Sequence, residues 1–162
     1  MWRVLPCHAW FLAPIALAIA TAVACTPAGQ TARADVTLYL QRANDWAPVE
    51  AETARTIDRI LATQFVDEAE VRRQIVADTP RVSAHLARIS TIHPTSPELR
   101  DVHERYVDTW RRLAAGYETL LRGLDTGQVP DIAAGRAALE AWRAGIIAVA
   151  RDLRRLRDDV GA

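Results

Sequence analysis

Apolar residues recur along much of this chain at alternating steps of three and four. The clearest run is Leu99, His103, Tyr106, Trp110, Leu113, Tyr117, Leu120 and Leu124, a stripe on one face of a helix that meets a neighbour. Ser96 and Pro97 are start signals for that helix, and "DTGQ" with Gly127 ends it in a turn. A second run follows in the same rhythm: Ile132, Gly135, Leu139, Trp142, Ile146, Val149, Leu153, Leu156 and Val160. Pro130 and Asp131 open it, Gly135 leaves room for a close neighbour, and the arginines of "RDLRRLRDD" gather at its end, where cations complement the helix dipole.

The first half is less regular. Asp45 is expected to cap a helix with Pro48 in its first turn and Val49, Thr53, Ile57 and Ile60 inward, with "DVTLYLQRAN" as an earlier helical piece joined by a kink. A further helix is predicted from Asp67 to Ile92. Val71, Ile75, Val82, Leu86 and Ile89 keep one register across Pro80, which predicts a kinked helix instead of two separate ones. Four helices with short connections predict an all-α fold, an antiparallel up-down-up-down four-helix bundle over residues 35–162. No strand alternation is present, nor a repeat at the periods of solenoids.

Composition adds bounds to this picture. The chain has 162 residues, 50% of them hydrophobic, enough for one core. Twenty acidic residues balance 20 basic ones, all arginine, so no strong field favours nucleic acid as a partner. Met1 to His8 supplies a short positive start with Arg3, and Ala9 to Ala24 follows without a charge, interrupted by Pro14. That order is the layout of a secretory signal, expected over residues 1–24, and the run falls short of the roughly 20 residues that span a bilayer. The cysteines are Cys7 and Cys25. Loss of Cys7 with the signal leaves Cys25 without an intrachain partner.

Ala22, Val23, Ala24 and Cys25 resemble the lipobox of bacterial lipoproteins, with Ala22 where that family usually has leucine. The resemblance implies cleavage before Cys25, acylation of Cys25 by two or three chains, and the membrane as a partner through that lipid. Thr26 in place of an aspartate implies the outer membrane, with the domain facing the periplasm. Residues 25–34, small and polar, are expected to form a flexible tether. Ala22 to Ala24 also fit an ordinary Ala-x-Ala cleavage site, with a second ending at Ala34, so a soluble periplasmic or secreted protein is the alternative. "PELRDVH", Pro97 to His103, resembles a pattern in small exported bacterial helical-bundle proteins of uncharacterised function.

Helical bundles often hold metals or haem. Di-iron sites need Glu-x-x-His pairs, yet the residues three before His85, His93 and His103 are Val82, Ser90 and Arg100. Cys-x-x-Cys-His is lacking, and Met1 is the single methionine. No phosphate loop, nucleophile elbow or zinc-protease motif occurs. Accordingly no catalytic residue, metal ligand or cofactor is assigned. His103, on the stripe between Leu99 and Tyr106, is the candidate polar core or ligand site, expected to bond a carbonyl, a tyrosine or a carboxylate. His93 lies in the loop "IHPTSPE", and His85, beside Leu86, is expected to face solvent. Glu50/Glu52 and Asp158/Asp159 are expected on solvated faces, as are the arginines of the last helix, with anionic lipid or a cell-wall polymer as an alternative contact. Trp46, Trp110 and Trp142 are expected in the core, or lining a groove for an apolar ligand.

These readings point to a non-enzymatic, membrane-tethered helical module that binds or positions another envelope component. The alternative is a ligand-carrying bundle, with a metal near His103 or an apolar ligand among the tryptophans.

Overall fold

A computed structural model describes residues 28–62 and 67–162. The signal segment and Cys25 lie outside the described residues. Four helices occupy almost all of the described chain: α1 (Ala28–Ala62), α2 (Glu68–Ile89), α3 (Pro97–Thr126) and α4 (Val129–Val160). Each packs on its sequence neighbours, and α1 closes the ring against α4, with the α3–α4 hairpin the most extensive contact. Cross-helix pairs give the directions. Arg143 bonds Asp58 and Arg136 reaches Ile60 and Leu61, so α4 runs against α1. His85 meets Tyr106 and Asp78 meets Tyr117, so α2 runs against α3. The result is the expected up-down-up-down bundle, and among the described residues no helix is long and apolar enough to cross a membrane.

Local chemistry accounts for most helix ends. Asp67 caps α2, its side chain accepting from the Glu70 amide at 3.1 Å. Gly127, at φ +66°, takes the left-handed conformation that closes α3 at little cost to a residue without Cβ. Arg136 donates to the carbonyls of Ile60 and Leu61 at 3.3 and 3.0 Å, satisfying acceptors that the end of α1 leaves open. Ser96 departs from expectation: it precedes Pro97 as the N-cap residue but its hydroxyl makes no cap bond. Asp35 instead holds the two residues just before the helix, one carboxylate oxygen accepting from the Thr95 amide, the Thr95 hydroxyl and the Ser96 amide at 2.8–3.0 Å. This contact fastens the start of α1 to the α2–α3 connection.

Two boundaries differ from those expected. α1 is one helix that contains Pro48, not two pieces, and it begins at Ala28, so residues 28–34 of the expected tether are helical. Alanine, glutamine and arginine in that stretch are strong helix formers, and Val36 and Tyr39, both buried, fasten the adjoining turns to the core. α2 stops at Ile89 and not Ile92, with Ser90 as its C-cap residue. Pro80 sits inside α2 as expected.

Close approach in the α3–α4 hairpin depends on small residues. A Cβ on Gly135 would stand 2.5 Å from Leu120 Cβ and 2.8 Å from the Leu120 backbone, and one on Gly123 would stand 2.7 Å from the Ile132 amide nitrogen. Trp110, Trp142, Leu113, Leu120 and Leu139 fill the space between these helices and the rest of the bundle.

Candidate functional site

The inward stripe of α1 runs through Val36, Tyr39, Trp46, Glu50, Thr53, Ile57 and Ile60, and that of α2 through Val71, Ile75, Asp78, Val82, His85 and Ile89. Both stripes therefore carry polar groups into the bundle. Asp78, His85, His103 and Thr53 are buried, and Glu50 is half-buried. Burial of such groups is costly unless they are hydrogen-bonded, and here Asp78, His85, His103 and Glu50 are each bonded to a tyrosine hydroxyl.

Tyr106 is the hub. Its hydroxyl donates to Glu50 Oε1 at 2.6 Å and lies 2.8 Å from His85 Nε2, while His85 Nδ1 is 3.3 Å from an Arg88 nitrogen. A guanidinium can only donate, so Nδ1 is the acceptor and the ring proton sits on Nε2, facing Tyr106. Every bond then points one way, from Arg88 through His85 and Tyr106 to Glu50. Burial, and to a lesser extent the Arg88 charge, pushes His85 down to about 4. The imidazole is neutral at pH 7, as the relay requires. Burial raises the Glu50 carboxyl, with the Tyr106 bond opposing that rise, and burial together with Glu50 holds the Tyr106 phenol far above its ordinary value.

Rings enclose this relay. Trp46 stacks on Tyr106 with centroids 5.5 Å apart, Tyr39 meets Trp46 edge-on at 5.4 Å, and Trp110 lies 4.3 Å from the His85 ring. Beside them a cleft of about 120 Å³ opens between α1 and α4, bounded by Tyr39, Trp46, Glu50 and Tyr106 on one side and Ile146, Val149 and Leu153 on the other.

His103 bonds a tyrosine, one of the partners expected for it: Nδ1 is 2.9 Å from the Tyr39 hydroxyl. Burial lowers its pKa, partly offset by hydrogen bonding to the backbone of Ile89 and Ile92. The same face opens on a shallow groove with His93, Glu104 and Asp108. His93 is exposed, and His85 stands in another layer against Tyr106, so the three histidines are not gathered at one point. Among the described residues no group of three His, Cys, Asp or Glu side chains could hold a metal ion.

Two sequence expectations need correction. His85 is buried, 2% exposed, not solvent-facing, because the three–four register of α2 passes through position 85 and Leu86 lies at its edge. Glu50 is half-buried and bonded to Tyr106, not part of a solvated acid pair, whereas Glu52 pairs with Arg55 as a surface carboxylate. Asp78 is a further inward polar residue, paired with Arg81 and accepting from Tyr117 at 2.8 Å. The available signal was a polar residue standing on an apolar stripe: 46–50–53–57–60 and 71–75–78–82–85–89 both keep the alternating step. Trp46, Trp110 and Trp142 are core residues. The Trp142 indole N–H is buried without a hydrogen-bond partner, as is the Thr53 hydroxyl.

No protein-family model matches the chain, and no curated protein or solved structure is significantly similar to it.

Proposed function

We propose that this protein is a lipid-anchored module of the bacterial envelope, acylated at Cys25 and displaying the bundle to bind or position another envelope component. The observation that carries the reading is the run Ala22-Val23-Ala24-Cys25 at the end of an uncharged segment, followed after Thr26 and Pro27 by the first turn of α1. Three peptide steps span at most about 10 Å. An anchor on Cys25 therefore holds the start of α1 close to the bilayer, along with the α2–α3 connection that Asp35 fastens to it. α1 has 35 residues and extends about 52 Å at the usual helical rise. The α3–α4 turn at Gly127 then stands at the far end as the surface presented to a partner.

The intact mass of protein extracted from membranes tests this reading. The expected species begins at Cys25 and carries a diacylglyceryl group, with or without an amide-linked chain. Unmodified protein that begins at Cys25 or Asp35 and stays in the soluble fraction overturns it.

A further inference from the structure

We propose that the cleft between α1 and α4 beside Glu50 binds a small organic ammonium group, such as a methylated or primary amine. The rings of Tyr39, Trp46 and Tyr106 bound one side of it, and Ile146 and Leu153 of α4 close the other. Aromatic faces attract cations, most strongly where water is excluded, and trimethylammonium-type groups are the ligands that such ring clusters take. Glu50 supplies the opposite charge. One of its oxygens is held by Tyr106 at 2.6 Å, while the other accepts no hydrogen bond from a described residue and is free for a ligand.

Selectivity follows from the same groups. An anion would meet the Glu50 carboxylate, and no arginine lines the cleft; Arg143, which borders the adjoining groove, is paired with Asp58 at 3.2 Å. A neutral apolar ligand would strip water from the free oxygen without replacing it. Size is consistent with this class: a cleft of about 120 Å³ beside the rings has room for a compact amine head. The relay from Arg88 through His85 to Tyr106 holds Glu50 in place, which makes Tyr106 and His85 positioning residues. The site does not depend on the anchor proposed above.

Isothermal titration with choline of the mature chain carrying Cys25→Ser, which has no acyl group to enter vesicles by itself, tests the site, with 3,3-dimethyl-1-butanol as the uncharged compound of the same shape. Saturable choline binding is expected, with the neutral compound about tenfold weaker or worse. Glu50→Gln keeps the shape and the acceptor for Tyr106, and is expected to weaken choline about tenfold while leaving the thermal midpoint in place. Leu153→Trp, which fills the cleft from the α4 side, is expected to abolish binding in a folded protein. A lipid headgroup is distinguished from a free amine by vesicles: binding to phosphatidylcholine over phosphatidylglycerol vesicles, lost in E50Q, assigns the headgroup, and binding in solution assigns the free amine. Equal binding of the neutral compound, an unchanged E50Q titration, or no saturation by choline, ethanolamine or phosphatidylcholine vesicles overturns the proposal.

Discussion

Tyr106 shows how one hydroxyl reconciles several buried groups. It donates a hydrogen bond to Glu50 and accepts one from His85, so two polar side chains on different helices are satisfied by a third helix. Tyr106→Phe keeps the ring stack on Trp46 but leaves the His85 N–H and Glu50 Oε1 unpaired, and is expected to cost about 2 kcal/mol in urea unfolding. A loss within error would show that water replaces the hydroxyl. His85 makes a second prediction. Its folded-state value of about 4 lies below the ordinary 6.5, so the unfolded chain binds the proton more tightly. The stabilisation is therefore complete above pH 6.5 and is lost as pH falls towards 4, by up to about 3 kcal/mol. His103, also lowered, contributes with the same sign, and Glu50, which is raised, with the opposite one. For that reason the clean measurement is the His85 ring resonance by NMR. Titration near 4 is expected, and titration near 6.5 would remove the buried relay.

Among the helices, the α3–α4 hairpin depends on what is missing from its side chains. Gly135→Ala places a methyl against the Leu120 backbone, which cannot rotate aside, and Gly29, with nothing within 4 Å of its Cβ position, is the matched control. Thermal melts are expected to show G135A destabilised by at least about 1–3 kcal/mol and G29A neutral or stabilised by a few tenths of a kcal/mol, since alanine is the better helix former. Equal behaviour of the two would mean that the hairpin separates without cost. Much of this element was legible beforehand: the three–four alternation located α3 and α4, and Gly135 stood out as a gap in an apolar stripe. The ends were less legible. Ser96 before Pro97 looked like a capping pair, yet its hydroxyl makes no cap bond, and Thr95 just before it donates to Asp35, which is 60 residues away along the chain and carries no local mark of that role.

At the scale of the whole molecule, the direction of the bundle matters most. The start of α1 and the α2–α3 connection share one end, and the α3–α4 turn occupies the other, so an anchor on Cys25 would orient the whole body. Cys25→Ser is expected to move the protein from the membrane to the soluble fraction without changing its thermal midpoint, because Cys25 precedes α1 and the core begins at Val36. Retention of C25S in the membrane fraction would count against lipid anchoring. What the sequence determined by itself was the all-α class, the number of helices and most of the apolar faces, because periodicity is a local property that each helix expresses alone. The candidate export and lipidation signals were likewise written in a contiguous stretch. The tertiary structure decided which polar residues became a site. Glu50, His85 and Tyr106 lie on three helices, and no local pattern states that they meet. Their pairing depends on the relative rotation and height of whole helices, which are set when the small residues of α3 and α4 and the rings of Trp46 and Trp110 pack together.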